Sequence, residues 1–141
     1  MHFLNRILLL VLLGGAVFTD LSSGRIYNVW LIPWTVSGAL LCLIGDGLPA
    51  LPAHLFLMSL TMLVLFPFYL TGGLGAGDIK LLMAVSVFLP PSGYFSCLMA
   101  ILLLSALYAV IMFWIRKDIH QGLHLALPIA AGVLLHMGGV F

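Results

Sequence analysis

The stretch LPAHLFLMSLTMLVLFPFYLTGGLGAGDIKLL, residues 51–82, contains the features on which the fold depends. Its first twenty residues form an apolar run without an acid, lysine or arginine, long enough to cross a bilayer as a helix. Four glycines follow within residues 72–77, and Asp78 and Lys80 then begin the next apolar segment. The pattern predicts a membrane helix, a break where backbone segments approach closely, and a second helix whose first turn is charged.

The rest of the chain repeats this alternation of apolar segments and short breaks. Of its 141 residues, 64% are hydrophobic and 6% are charged, and the mean hydropathy is +1.29. Soluble domains average about 25% charged residues, so the composition excludes a soluble domain. We expect an all-α polytopic membrane protein, a bundle of about six transmembrane helices forming one domain over residues 1–141. The predicted helices are 4–20, 27–45, 51–71, 78–90, 93–115 and 122–140, of which the fourth is short for a span.

The N-terminal twenty residues also have the charge and apolar run of a secretory signal peptide. Five further apolar segments follow, which favours the alternative that this segment is the first span. The net charge of +1 and the lack of a basic run give no indication of a nucleic-acid partner.

The distribution of lysine and arginine predicts the orientation in the membrane. With six spans, the first, third and fifth breaks share a side, and they carry Arg25, Lys80 and the pair Arg116 and Lys117. The opposite side has Arg6 alone. Because lysine and arginine are enriched in cytoplasmic loops, these three breaks are predicted to be cytoplasmic.

The carboxylates are few enough to consider one by one. The chain has no glutamate and four aspartates. Asp46 lies in a GDG turn and Asp118 follows two cations in a loop, so both are expected to be ordinary solvated acids. Asp20 ends the predicted first span and Asp78 begins the fourth, which places both at the cytoplasmic boundary. Ionisable groups next to hydrocarbon are costly, and two at the same depth predict a functional site.

Two facing carboxyl groups suit one particular chemistry. They cannot both ionise easily, so the pair shares a proton; one group activates a water and the other polarises a peptide carbonyl. Helix capping is the simpler alternative for Asp78. Capping needs one permissive residue, however, and leaves the run of glycines, with Gly75 and Gly77 nearest the acid, unexplained.

Other chemistries have weaker support. Cys42 and Cys97 each lie in an apolar segment outside any CxxC motif, so we expect buried apolar side chains and no metal site. His120 and His124 are four residues apart, and we interpret them as polar residues at the interface. The sequence predicts no cofactor.

The segment GLGAGDIKLL, residues 73–82, resembles the GxGDxKL signature of the type IV prepilin peptidases, a family of membrane aspartic proteases. The first family aspartate stands in a D-x5-[IL]-P-[ND] element, and residues 20–33 supply Asp20, Ile26 and Asn28 at that spacing, with Tyr27 in place of the proline. The segment LALPIAAG, residues 125–132, is similar to an element of the family's last span. Presenilin and signal peptide peptidase proteins share GxGD but fit less well, since Thr19 precedes Asp20 where they have tyrosine.

The resemblance implies a function and roles for individual residues. The catalytic pair is expected to be Asp20 and Asp78, with Gly75 and Gly77 admitting the substrate backbone, and Lys80 and Asn28 in support. The implied substrate is the N-terminal leader of a type IV prepilin or pseudopilin together with its apolar helix. Cleavage is expected at the cytoplasmic face of the inner membrane, where anionic lipid helps to hold a basic leader.

The same resemblance indicates the short form of the family. Larger members carry a cysteine-rich insertion associated with methyl transfer, and no segment here corresponds to it. The alternative from another class is a small transporter or proton-relay subunit that uses the two aspartates to move protons.

Overall fold

The computed structural model describes residues 2–116 and 124–139, which fold into a bundle of six α-helices with no strand in those two ranges. The protein is therefore an all-α polytopic membrane protein, as predicted. A single 3-10 turn, Leu48–Ala50, precedes the third helix. The helices are α1 His2–Ser23, α2 Asn28–Gly45, α3 Leu51–Leu70, α4 Ala76–Phe88, α5 Pro91–Arg116 and α6 Ala126–Met137.

The short helix α4 forms the centre of the bundle. It packs against α1, α2, α3 and α6, and nine of its thirteen residues are buried. Small side chains such as Ala84 and Ser86 let the surrounding helices approach it. On α2, Gly38 faces the Phe88 ring so closely that a Cβ would lie 2.8 Å from it. Because most of α4 is buried among four other helices, its apolar composition reflects packing against protein.

The outer helices have the lengths and surfaces that a bilayer requires. Four candidate membrane spans are present in the described residues, and their outward faces carry exposed apolar side chains such as Phe18, Leu63 and Leu103. The spans are Phe3–Ser23, Asn28–Gly45, Leu48–Leu70 and Pro91–Met112.

Two of the six helices are shorter than a full span: α4, which was expected to be short, and α6, which was expected to extend over residues 122–140. α4 has 13 residues and α6 has 12, about 20 Å and 18 Å at 1.5 Å per residue. A bilayer core of about 30 Å is longer than either. α4 has the expected 13 residues and begins two residues earlier than expected, after the loop at residues 71–75, whereas α6 begins only at Ala126, four residues after the expected start.

Successive helices alternate in direction, so the breaks between them gather at two ends of the bundle. The segment 24–28, the segment 72–80 and Leu125 meet around one cleft. At the other end, residues 45–50 and 87–91 meet beside Asn5. The first and third breaks and Leu125, which directly precedes α6, therefore share one end of the bundle.

Candidate active site

Asp20 lies in the last full turn of α1. The helix continues to Ser23 instead of ending at residue 20, and Gly24 closes it with φ of +62° and an N–H donated to Asp20 O at 2.8 Å. The Asp20 side chain is buried, and its Oδ2 accepts the backbone N–H of Ala126 at 3.3 Å. The carboxylate thus satisfies one of the free donors at the start of α6 and joins the first helix to the last.

Asp78 is the third residue of α4, which begins at Ala76. Its Oδ2 accepts the Gly75 N–H at 3.1 Å, while its own N–H donates to Gly75 O at 3.1 Å. The bond from Gly75 N–H is the Asp78 half of a capping box; glycine has no side chain to supply the other half, but the capping role considered from the sequence is present. The side chain is nevertheless only 7% exposed, which capping at a helix end does not require.

The two aspartates face one cleft of about 780 Å³, as the sequence predicted for acids at one end of the bundle. Burial raises the pKa of Asp78 to about 6; the Gly75 N–H lowers it, the nearby Asp20 charge raises it and His124 lowers it. Asp78 stands in the first turn of α4, outside the four candidate spans. The site therefore holds two carboxyl groups on one cleft, and Asp78 keeps its proton to a higher pH than an ordinary aspartate does.

His124 is a residue of this site that the sequence interpretation missed. Its Nδ1 lies 3.5 Å from Asp20 Oδ1, and the ring is half-buried. The residue precedes α6 and is not helical, and it contacts a carboxyl group instead of being a polar interfacial residue without a partner; His120 lies outside the described residues. Lys117 and Asp118, which also entered the sequence interpretation, lie outside them as well.

The glycines of the signature have packing roles within the chain. Gly75 begins α4 in extended conformation, and a Cβ there would stand 2.9 Å from Asp78 Oδ2. At Gly77, a Cβ would lie 3.1 Å from the Cβ of Ile26. Gly77 thus brings the start of α4 against the loop that follows α1, Gly75 leaves room for the Asp78 carboxyl group, and both glycines line the cleft. Approach of a substrate backbone to them stays a prediction.

The rim of the cleft carries polar and cationic side chains. Lys80 Nζ donates to Asn28 Oδ1 at 3.1 Å, which joins the first turns of α4 and α2. Arg25 also lines the cleft and is exposed. Tyr27, where the resemblance leads one to expect proline, has φ of −81° and ψ of 133°. This is close to the conformation that proline imposes, so the substitution leaves the loop geometry unchanged.

The contact with His124 leads to a testable consequence. Replacing His124 by glutamine removes the imidazole whose Nδ1 lies 3.5 Å from Asp20 Oδ1, and hydrogen bonds to charged groups contribute about 1.5–3 kcal/mol. We expect peptide cleavage to slow by about tenfold or more, measured as kcat/KM. The control is His136→Gln, because His136 lies in the last turn of α6, at the end of the bundle opposite the aspartates. Equal rates for His124→Gln and the wild type would contradict this role.

The fold and the cleft together define a multi-pass helical membrane protein with two buried carboxyl groups at one end. Residues 7–114 match the model of the type IV leader peptidase family. The match covers most of the chain, including both aspartates, and the protein belongs to this family. It is therefore a peptidase, a hydrolase of peptide bonds. Searches of curated proteins and of solved structures gave no match.

Proposed function

We propose that the protein is an aspartic endopeptidase that removes the N-terminal leader of type IV prepilin-like subunits at the cytoplasmic face of the inner membrane. The observation that carries the proposal is the pair of buried carboxyl groups, from α1 and α4, that open onto one cleft. Family membership supports leader-peptide cleavage, and the cationic residues at this end support a cytoplasmic position.

The contacts of the two acids suggest different roles. Asp20 accepts the Ala126 N–H and lies beside His124, both of which stabilise a carboxylate. Asp78 has a pKa raised to about 6 by burial, which favours its protonated form. We assign Asp20 as the general base and Asp78 as the general acid.

The reaction follows from this assignment. Asp20 takes a proton from a water whose oxygen attacks the scissile carbonyl carbon, while Asp78 gives its proton to the carbonyl oxygen. The resulting diol collapses: the C–N bond breaks, the leaving amine takes the proton held by Asp20, and a hydroxyl proton returns to Asp78. Two acids thus complete the cycle with no other reacting side chain.

A second feature supports a substrate that continues into the membrane. An apolar groove of about 350 Å³ lies between α2, α3 and α4, and Asn28 and Lys80 line both this groove and the cleft. A prepilin has an apolar helix directly after its cleavage site, so the groove is a path by which that helix reaches the aspartates.

The groove gives a prediction about substrate binding. Val36 lines it and is half exposed, whereas Leu40, one turn further along α2, is equally exposed but does not line it. We expect Val36→Trp to raise KM for a full-length precursor by about tenfold, a loss of about 1.4 kcal/mol, because the indole fills the groove. Leu40→Trp should leave KM unchanged. If both variants behave alike, the groove is not the path.

The proposed function is tested with purified protein in sealed proteoliposomes and a prepilin inserted in the same membrane. Cleavage is followed by gel mobility, and mass spectrometry identifies the new N-terminus. We expect one cut at the end of the leader. Cleavage should require that the end of the protein bearing Arg25 faces the same side as the leader. Proton flux without cleavage would instead support the proton-relay alternative.

A further inference from the structure

A second group of reactive side chains lies at the end of the bundle opposite the aspartates. Cys42 and Asp46 are one turn apart at the end of α2, and His54 lies in the first turns of α3. One potential ligand atom from each residue lies within 4.8 Å of the others. Asn28, which lines the aspartate cleft, and Asp46 are separated by about 27 Å along α2, so the two sites are distinct.

From this cluster we propose that Cys42, Asp46 and His54 bind a divalent transition-metal ion, with Zn²⁺ the ion that best suits the three ligand types. Zinc takes thiolate, imidazole and carboxylate ligands at about 2.0–2.3 Å. Tetrahedral ligands around such an ion stand about 3.3–3.8 Å apart, so a closure of about 1 Å completes the site. The fourth position is left for water.

The orientation of His54 is the second observation that supports a metal. The ring is buried, and its Nδ1 lies 3.1 Å from the backbone oxygen of Ser86. A neutral imidazole that donates there keeps its lone pair on Nε2. Metal-binding histidines commonly have their second nitrogen fixed in this way by a carbonyl or a carboxylate. The carbonyl of Ser86 thus prepares His54 as a ligand without itself contacting the metal.

The surroundings also give an ion access to the cluster. A cavity of about 430 Å³ is lined by all three ligands and by Asn5. Asp46 is exposed, whereas Cys42 and His54 are buried, so the ion enters past the aspartate and meets the softer ligands deeper in the protein. The Cys42 thiol gives its proton to solvent as the metal–sulfur bond forms.

The expected consequence is a clamp between α2 and α3. Cys42 and Asp46 belong to one helix and His54 to the next, and a shared ion ties the two across the short loop at residues 46–50. Binding only to the folded state stabilises that state by mass action. From the sequence we expected Cys42 to be a buried apolar side chain with no metal site. The sequence does not reveal this cluster, because the spacing of Cys42, Asp46 and His54 matches no familiar metal-binding motif.

The test uses the full chain purified with a tag that lacks histidine, stripped with a chelator and titrated with Co²⁺ and then with Zn²⁺. We expect one tightly bound ion per chain, a thiolate-to-cobalt charge-transfer band, and a higher unfolding midpoint when Zn²⁺ is present. Cys42→Ser should abolish the band. Asp46→Asn and His54→Gln should each weaken Zn²⁺ binding by at least about tenfold. Asp46 is exposed, so its replacement keeps the test valid if the His54 variant fails to fold.

Matched controls separate this site from adventitious binding. Cys97→Ser removes the other buried cysteine, and His136→Gln removes a histidine at the same end of the bundle. Both should retain the band and the affinity of the wild type. Absence of the charge-transfer band from the wild type, or equal binding by the wild type and all three ligand variants, would overturn the proposal. Peptidase activity is not the readout, so this result is independent of the proposed function.

Discussion

Replacing either Asp20 or Asp78 by asparagine should reduce prepilin cleavage by at least about a thousandfold. Each substitution keeps the shape of the side chain and an oxygen acceptor, so Gly75 N–H and Ala126 N–H can still donate. What is lost is the ability to exchange a proton. General acid and general base steps each contribute about 10²–10⁴-fold, and residues that act as one unit lose nearly all of their effect when either is removed.

The measurement is single-turnover cleavage of a precursor by wild type and variants present in equal amounts. Ser22→Ala is the matched control, because Ser22 lies on the same turn of α1 as Asp20 but is exposed and bonds only to local groups. It should cleave at the wild-type rate. The double variant should be no slower than the slower single variant. A single variant that retained the wild-type rate would remove the carboxyl pair from the mechanism.

The position of this pair was predictable because it depends on chain direction alone. Successive helices that cross a membrane alternate in direction, so the break after α1 and the break before α4 must lie at the same end of the bundle. Asp20 and Asp78 occupy those breaks in the sequence, and the structure brings both to one cleft. The cap at Asp78 was predictable too, since it rests on a local backbone bond to Gly75.

Features that depend on tertiary packing were not predictable in the same way. The start of α6 is an example: the helix was expected from residue 122 but begins at Ala126, and the apolar sequence gives no sign of this boundary. His124 meets Asp20 because α6 packs against α1, and no local motif marks that contact. The approach of His54 to Cys42 and Asp46 likewise requires the α2–α3 turn in three dimensions.

The burial of Asp78 predicts an unusual relation between activity and stability. Its pKa in the folded protein is about 6, whereas its ordinary value is 3.8. Between these values the folded state keeps a proton that the unfolded chain has released, so the free energy of unfolding falls as pH rises through this window. Above pH 6 the ionised side chain costs the folded state on the order of 3 kcal/mol.

Asp78→Asn should therefore raise the unfolding midpoint at pH 7.5, by about 10 °C for a chain of this size, while abolishing cleavage. The gain should shrink as pH falls and vanish well below pH 3.8, where the carboxyl is protonated in both the folded and the unfolded state. Thermal unfolding of both proteins in the same detergent across this pH range measures it.

The opposite sign would follow if Asp78 served mainly as a helix cap. A cap stabilises a helix by about 0.5–2 kcal/mol, so weakening it would lower the unfolding midpoint at neutral pH. A residue that only caps a helix does not need to be buried beside a second carboxyl group. A raised pKa does not strengthen the cap, because the ionised carboxylate is the better acceptor for the Gly75 N–H. A variant that is more stable but inactive would mean that this position is maintained for proton transfer at a cost in stability, as expected for a catalytic acid. A variant that is less stable at pH 7.5 would contradict that reading, and the pairing with Asp20 would then need another explanation.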